Sequence, residues 1–324
     1  MTSAIMLAGS NSARAIREYA RTVAKYYGET FVETGYKPLR TFEVLRKGML
    51  VRLPLIQFTL ERLLDSDEID DIIIVGQKDR LEERLQGLLR GFDKPCRIID
   101  QRAPIAPEVI DRFGIVPRKV SPGSIAANII QGYAASRAYE GRRHALFAAS
   151  DAPFTSLPFI EYVLRLGKRH EGQYAIIAPA VLLERNVDRF GRPPLKLVND
   201  SSLKEAEHED RHGRQRFRAS SVIYADPHGF DVNSVNSAYS LRKGLSPRVQ
   251  LKLFRITRRL GYPNIYSKYF VSKDLSITEA ENIASAYFDG QLKIVPVRDV
   301  ESSYDYDGTD QELRNVSGML KTER

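Results

Sequence analysis

The chain has 324 residues, of which 43% are hydrophobic and 28% are charged, and these proportions exclude a disordered or fibrous protein. It contains no run of about 18 apolar residues, and no charged segment leads into an apolar one at its start, so we expect a cytoplasmic protein without a membrane span or secretory signal. The formal net charge of +8 favours acidic partners, either phosphorylated small molecules or nucleic acid, and the single cysteine, Cys96, excludes an internal disulfide.

The first predicted strand covers residues 3–8. It runs into a turn of small and polar residues, Leu7-Ala8-Gly9-Ser10-Asn11-Ser12. A strand followed by such a turn and a helix start presents free backbone N–H groups and the positive end of a helix dipole to an anion. The segment has neither of the glycine spacings of the standard phosphate-binding loops, so a plain strand-to-helix turn explains it more simply when it is taken alone.

Helical and extended patterns then alternate along the chain. The predicted elements are a basic inserted helix and loop at residues 15–36, the segment Lys37-Pro38-Leu39, a helix at 53–64 with Pro54 in its first turn, a strand at 72–76, a helix at 79–90 and a strand at 97–100. This order is that of a parallel sheet with right-handed crossovers, so the sequence predicts an α/β fold. Cys96 lies in the apparent strand Cys96-Arg-Ile-Ile-Asp100, which predicts a core thiol and not a nucleophile.

A helix start is predicted at Gly123-Ser124, where Ser124 has the place of the N-cap residue. Asn128 lies one turn further along this helix, on the side that can face whatever the helix start faces. Spacing alone fits a ligand contact and a buried structural amide equally well for Asn128.

The most informative stretch is residues 144–158. Its apolar run, Ala145–Ala149, is too short for an independent helix and is predicted as a buried strand that ends at Ser150-Asp151-Ala152-Pro153. Ligands of open α/β sheets bind outside the carboxyl ends of the strands, where a carboxylate is well placed to hold Mg²⁺ against phosphates. Taken alone, Asp151 fits a turn cap equally well. Ser156 is the predicted N-cap of the next helix, at residues 157–169.

The second half of the chain continues the alternation. It contains predicted strands at 173–181, 219–225 and 292–297, a solvated loop in the charged tract 208–218, a basic amphipathic helical region at 237–261, and a helix that begins with a capping box at Ser276 and Glu279. A cluster of carboxylates that includes Asp305 and Asp307 follows the last strand. A second acidic group at a strand end is what a divalent-metal site on a sheet edge requires.

Taken in order, several stretches resemble the MobA-like NTP transferases, a nucleotidyltransferase family with a GT-A-type sheet. They are the Gly-rich nucleotide loop at Leu7-Ala-Gly-Ser-Asn-Ser-Ala-Arg14, the Lys-x-Leu and Pro-Leu-Ile segments at Lys37-Pro-Leu39 and Pro54-Leu-Ile56, the Gly-Ser and Asn helix start at Gly123-Ser124 and Asn128, the metal-binding Asp-x-Pro at Asp151-Ala-Pro153, and the late Asp-x-Asp at Asp305-Tyr-Asp307. The resemblance implies a GT-A-like, Rossmann-like three-layer α/β fold with a mostly parallel central sheet. It also implies a single domain, residues 1–324, with insertions at about 15–36 and 185–270.

The resemblance implies a reaction as well. A phosphorylated small-molecule acceptor would attack the α-phosphorus of an NTP and release pyrophosphate, with Mg²⁺ or Mn²⁺ held by Asp151 and by Asp305 or Asp307. The implied catalytic residues are Lys37 and Arg14, and the implied nucleotide-binding residues are Leu7, Ala8, Gly9, Ser10, Asn11, Ser12, Lys37, Gly123, Ser124 and Asn128. Arg242 and Lys243 are our candidates for binding the acceptor phosphate, and a solvated cationic helix start fits this pair equally well.

The chain departs from the family pattern at four places. Ala15-Ile16 stands in place of the Met-Gly pair of the family's loop, and Ser220-Ser221 stands where the family often has Gly-Asn ahead of the late strand. Ser10 stands where the family's loop has a second glycine, and an insertion of roughly twenty residues precedes Lys37. Three other functions stay open: a degenerate non-catalytic member, a GT-A glycosyltransferase that uses a nucleotide-sugar, and a nucleic-acid-binding protein that uses the basic helical region. Nucleic acid is not the expected partner, because the positive charge is spread along the chain without a recognised motif. No membrane partner is expected, and homo-oligomerisation is left open.

Overall fold

The computed structural model describes residues 2–9, 21, 24, 30, 35–46, 48–183, 195–200, 214–240, 247–262, 268, 272, 274–299, 301–304, 306 and 308–322. Its strands are β1 (Ser3–Ala8), β2 (Thr41–Arg46), β3 (Met49–Pro54), β4 (Asp71–Gly76), β5 (Cys96–Asp100), β6 (Ala145–Ala149), β7 (Ile176–Leu183), β8 (Leu195–Val198), β9 (Arg214–Ala219), β10 (Val222–Ala225) and β11 (Leu292–Val297). Its helices are α1 (Leu55–Asp65), α2 (Lys78–Leu89), α3 (Pro107–Arg112), α4 (Ile125–Ala134), α5 (Arg137–Glu140), α6 (Leu157–His170), α7 (Val235–Ser240), α8 (Pro247–Arg259), α9 (Ile277–Phe288) and α10 (Asp310–Thr322).

Nine strands form one sheet in the spatial order β5-β4-β1-β6-β10-β7-β9-β8, with β11 paired to β7. β9 and β10 run against the direction that the other strands of this sheet share. The predicted α/β fold with a mostly parallel central sheet is therefore confirmed. β1 lies between β4 and β6 and is parallel to both, so the carboxyl ends of these three strands meet at one edge of the sheet.

Each face of the sheet has its own hydrophobic core, because successive side chains of a strand point to opposite faces. Met6 of β1 belongs to the cluster formed with α1, α2 and α6, whereas its neighbour Ile5 belongs to the cluster formed with α4 and α9. Both side chains are fully buried. The sheet is thus the middle layer of three.

The segment between Leu39 and α1 is a β-hairpin, which the sequence analysis did not predict. β2 and β3 pair antiparallel, and Phe42 and Val44 pack in a cluster with Tyr306 and α10. Pro54 ends β3 and is the N-cap of α1, so the prediction that it lies in the first turn of the helix was wrong. Leu53 and Pro54 pair with β2 as the end of β3, so the helix predicted at 53–64 begins at Leu55.

The last part of the charged tract 208–218 is not a solvated loop. Arg214–Ala219 is strand β9, in which Gln215 and Phe217 are buried. Arginines alternate with these two residues, so the charged side chains lie on one face of the strand and the tract has the period of two that indicates a strand. Residues 208–213 lie outside the described part of the chain.

The predicted helix starts are confirmed by their hydrogen bonds. The Oγ atoms of Ser124 and Ser156 each accept a hydrogen bond, at 3.2 Å, from the backbone N–H three residues further on. Ser276 and Glu279 form the reciprocal pair of bonds of a capping box. The polar group at each of these helix starts therefore satisfies backbone donors that have no partner within the helix.

Two predictions about the whole chain have different outcomes. Within the ranges given above, no helix combines the length and the apolar character that crossing a membrane requires. The single-domain organisation with insertions at about 15–36 and 185–270 stays a prediction, because much of both insertions falls outside those ranges.

His228 is held in a stack of aromatic rings. Its ring lies 4.5 Å from that of Phe113 and 6.0 Å from that of Tyr139, measured between centroids and nearly parallel in both cases. Within the described part of the chain, its Nε2 atom is buried and makes no hydrogen bond. Burial lowers the pKa of His228, and the charge of Asp226 acts in the opposite direction.

This stack makes the stability depend on pH. The folded protein keeps His228 neutral at a pH where the unfolded chain, with a pKa of about 6.5, already binds a proton. We therefore expect the free energy of unfolding to decrease as the pH falls from about 7.5 to about 5.5, and to decrease less in His228→Phe, which keeps the stack. Urea unfolding of both proteins at the two pH values measures the difference, and equal slopes would contradict the role of His228.

Candidate active site

Three of the predicted site residues, Leu7, Lys37 and Asp151, lie together at the carboxyl ends of β1 and β6. Ser150 N donates to the carbonyl oxygen of Leu7 at 3.3 Å, which holds the end of β6 against the end of β1. The Asp151 carboxylate forms an ion pair with the ammonium group of Lys37, and both side chains stay partly exposed. The structure therefore brings together Leu7, Lys37 and Asp151, which the sequence analysis assigned to one site.

Tyr36 fixes the chain that delivers Lys37. Its hydroxyl donates to the carbonyl oxygen of Ala8 and accepts from the backbone N–H of Gln77 at 3.0 Å. Gly76 makes room for this hydroxyl, since a Cβ at Gly76 would lie 2.7 Å from the Ala8 carbonyl oxygen and still closer to the hydroxyl. Burial raises the pKa of Tyr36 to about 12, so the hydroxyl keeps the proton that it donates to Ala8.

Gly9 lies against two buried amide side chains. A Cβ at Gly9 would lie 2.5 Å from Nδ2 of Asn128 and 3.1 Å from Oε1 of Gln101, so glycine is the residue that leaves both amides in place. Gln101 N donates to the carbonyl oxygen of Gly76 at 2.8 Å, which puts Gln101 at the carboxyl ends of β4 and β5. Gly9, the last described residue of the predicted nucleotide loop, and the helix that carries Asn128 therefore meet at the same sheet edge as Asp151.

The start of α4 faces this place too. Gly123 has a φ of 77°, in the left-handed region that glycine adopts without strain. A Cβ on Gly123 would lie 3.9 Å from the carbonyl oxygen of Gln101. Ser124 caps the helix, and its carbonyl oxygen accepts from Asn128 N at 2.9 Å. Gly9, Gly123, Ser124 and Asn128 are thus brought together, and their role in binding a nucleotide stays a prediction.

Two amide oxygens on α4 are poised to accept hydrogen bonds. Within the described ranges, Oδ1 of Asn128 and Oε1 of Gln131 are buried and accept none. The Nε2 group of Gln131 donates to the carbonyl oxygen of Ala103, which fixes the orientation of that amide. A buried acceptor without a donor costs about 1–3 kcal/mol, and a ligand with N–H or O–H groups would remove this cost.

Tyr306, from the late acidic segment, contacts the backbone of Asp151. Tyr306 N donates to the backbone carbonyl oxygen of Asp151 at 2.7 Å, and the Tyr306 side chain is fully buried. Its ring meets that of Phe42 edge-on, with 5.5 Å between the centroids. Tyr306 is the residue between Asp305 and Asp307 in the sequence, and those two predicted metal ligands lie outside the described residues.

Among the described residues, Asp151 is the predicted ligand of a hard divalent cation at this edge. In the part of the chain that the structure describes, no three or more His, Cys, Asp or Glu side chains form a group that could hold a metal ion. Mg²⁺, however, is commonly held by one or two carboxylates, with phosphates and water completing its shell. Asp151 would supply one such carboxylate, and the other predicted ligands, Asp305 and Asp307, lie outside the described residues.

The remaining predicted site residues lie outside the described ranges, and their roles stay predictions. They are Ser10, Asn11, Ser12, Arg14, Asp305, Asp307, Arg242 and Lys243.

The sequence analysis missed three residues that shape the site. Gln101 directly follows β5, so the rule that ligands bind beyond the carboxyl ends of strands could have found it, as it found Asp151. Tyr36 precedes Lys37, but no local pattern indicates that its hydroxyl reaches β1. No sequence pattern identifies Tyr306 as a site residue, because its contact with Asp151 is made by backbone atoms.

No protein-family model matches the chain, and no curated protein matches it significantly. Solved structures are similar to it. A hypothetical transferase from Thermus thermophilus has 17% sequence identity and a TM-score of 0.54, with 94% of this chain and 96% of that one covered. A 4-diphosphocytidyl-2C-methyl-D-erythritol synthase from Anaerococcus prevotii has 13% identity and a TM-score of 0.45, with 99% and 98% covered. A CMP:2-keto-3-deoxy-manno-octonic acid synthetase complexed with CTP has 12% identity and a TM-score of 0.47, with 99% and 98% covered.

These likenesses concern the fold. The first of them and the strand order described above agree with the predicted three-layer α/β fold with a mostly parallel central sheet. At such identity the likeness shows the fold alone, so the activity has to be argued from the residues of this chain.

Proposed function

We propose that this protein is a nucleotidyltransferase of the MobA-like type, which transfers NMP from an NTP to a phosphorylated small-molecule acceptor and releases pyrophosphate. The observation that supports this best is the convergence of two groups at one sheet edge. Gly9 packs on buried amides at the end of β1, and the ion pair of Lys37 and Asp151 lies at the end of the adjacent strand, β6. A nucleotide bound across these two strand ends would have its base or ribose near Asn128 and its phosphates near Lys37.

The chemistry needs little from the protein beyond position and charge. An oxygen of the acceptor phosphate forms a bond to the α-phosphorus, the bond from that phosphorus to the bridging oxygen breaks, and pyrophosphate leaves with the electron pair. Lys37 neutralises the charge that develops on the phosphates, and the backbone near Gly9, with Arg14, orients them for in-line attack. The free acceptor oxygen of Asn128 binds an N–H or O–H group of the base or ribose.

Mg²⁺ or Mn²⁺, held by Asp151 together with Asp305 or Asp307, would supply further neutralisation of phosphate oxygens. Arg242 and Lys243 remain our candidates for holding the phosphate of the acceptor. The net charge of +8 supports two anionic substrates.

The experiment that tests this proposal needs no knowledge of the acceptor. We expect one of the four common NTPs, added with Mg²⁺, to raise the free energy of unfolding, by about 2.7 kcal/mol at a hundred times its dissociation constant. Urea unfolding of the wild type with each NTP, with and without Mg²⁺, measures the effect and identifies the base. The absence of any shift with all four NTPs would refute the proposal.

The variant Gly9→Ala tests the nucleotide side of the site. Its added Cβ would displace the Asn128 amide, so we expect at least about tenfold weaker NTP binding, or about 1.4 kcal/mol. Gly91→Ala is the matched control, because its Cβ makes only an ordinary 3.4 Å contact with the Leu88 carbonyl oxygen. Calorimetric titration of both variants with the NTP measures the two affinities. Equal NTP affinities of Gly9→Ala and Gly91→Ala would show that Gly9 is not part of the site.

A further inference from the structure

In the ion pair of Lys37 and Asp151, the ammonium group occupies the carboxylate oxygen that a metal ion would bind. The ammonium group of Lys37 contacts Oδ2 of Asp151, the carboxylate proposed to hold the metal. The two side chains retain 27% and 18% of their exposure, so ions from solution can reach the pair. A divalent cation that binds Oδ2 therefore competes with Lys37 for the same carboxylate.

We propose that Lys37 is the resident counter-ion of Asp151 and that it exchanges with the metal when the triphosphate arrives. Metal takes the place of the ammonium group at Asp151, and Lys37 moves its charge to the triphosphate. This inference rests on the proposed nucleotidyltransferase function and adds an order to it: metal binds with the nucleotide and not before it.

The backbone around Lys37 is fixed, so its side chain can make this move alone. Tyr36 is anchored to Ala8 and Gln77, as described above, and Lys37–Leu39 is a 3-10 turn closed by the bond from Arg40 N to the Lys37 carbonyl oxygen at 3.0 Å. A lysine side chain has a flexible four-carbon stem and three rotatable donors. The ammonium group can therefore swing from one anion to another while the Cα atom stays in place.

Electrostatics give the exchange its direction. While Lys37 is paired with Asp151, a divalent cation meets a neutralised carboxylate and a positive charge close by. Without a triphosphate, the divalent cation therefore binds Asp151 weakly. A triphosphate brings several negative charges that offer Lys37 another partner and the metal further ligands. Each substrate then strengthens the binding of the other, and this coupling is reciprocal.

The test compares the wild type with Lys37→Met, Lys37→Arg and a control, Lys78→Met. Lys78 also pairs with a carboxylate, Glu82 at 3.6 Å, but on the surface of α2. Mn²⁺ alone is titrated and its free fraction followed by electron paramagnetic resonance, so the readout does not depend on activity. Inorganic tripolyphosphate with Mg²⁺ is titrated by calorimetry, which avoids any assumption about the base.

The exchange predicts opposite changes in Lys37→Met. Its affinity for Mn²⁺ alone should rise by about tenfold, because the competing charge is gone, and its affinity for tripolyphosphate with Mg²⁺ should fall by about tenfold. Lys37→Arg keeps the charge and should bind Mn²⁺ as weakly as the wild type, and Lys78→Met should match the wild type in both titrations.

Other results overturn the exchange. Mn²⁺ binding that is unchanged or weaker in Lys37→Met would show that the ammonium group does not compete with the metal. Failure of the wild type to bind any NTP would refute the proposed function and the exchange with it, whereas tighter Mn²⁺ binding by Lys37→Met would then show only that Lys37 competes with a metal for Asp151. Urea unfolding of each variant verifies that the comparison is made between folded proteins.

Discussion

Asp151→Asn is expected to lower NTP-dependent pyrophosphate release by a factor of about 10²–10³, the range seen when one electrostatic group of an active site is removed. The amide has nearly the shape of the carboxylate but no charge with which to hold a divalent cation. The backbone bonds of this residue, including the one from Tyr306 N at 2.7 Å, do not involve the side chain and should persist. The loss of activity should therefore occur without loss of the fold.

Pyrophosphate release by the wild type, Asp151→Asn and Asp111→Asn, measured with the NTP that binds and a panel of phosphorylated acceptors, checks this expectation. Asp111 is an exposed carboxylate of α3 and serves as the matched control. Unfolding curves for the three proteins separate loss of activity from loss of structure. Activity of Asp151→Asn above about a tenth of the wild-type value would exclude Asp151 as a metal ligand.

Two strands could be predicted with their limits because their signals are local. The apolar run Ala145–Ala149 predicts a strand, and the strand in the structure has the same limits. The last strand, Leu292–Val297, likewise has the limits predicted from the sequence. A buried parallel strand is apolar on both faces, so its ends are marked by the first polar or turn residue. The same signal predicts that Asp151 lies at a sheet edge.

The parts that escaped prediction depend on contacts between distant positions. The bond from the Tyr36 hydroxyl to Ala8 spans 28 residues, and its bond from Gln77 spans 41. No periodic pattern records such a pairing. Lys37 is positioned by a tertiary contact of its neighbour, because the Tyr36 hydroxyl packs on Gly76 and donates to Ala8 at the end of β1.

Gly167→Ala should destabilise the protein by about 3 kcal/mol or more, through overpacking of the core between α6 and the sheet. A Cβ at this position would lie 2.6 Å from Cγ of Tyr224 and 2.7 Å from its Cε1, and still closer to Cδ1. The ring cannot yield, because Tyr224 is held at both ends: its hydroxyl donates to Glu171, and it stacks on His144 with 5.2 Å between the centroids. The helix α6 must then move away from β10.

Glycine to alanine at Gly87 should instead raise the free energy of unfolding. Gly87 lies on the exposed side of α2, and its Cβ would meet nothing within 4 Å. Alanine loses less backbone entropy on folding than glycine, so Gly87→Ala should stabilise the protein by about 0.5–1 kcal/mol. Urea unfolding of the wild type and the two variants measures both changes in the free energy of unfolding. Each variant adds one methyl group to a helix, and the two positions differ in the space around that group. Similar effects at the two positions would show that α6 adjusts to the Tyr224 ring, and that the close approach of Gly167 is not what fixes this helix on the sheet.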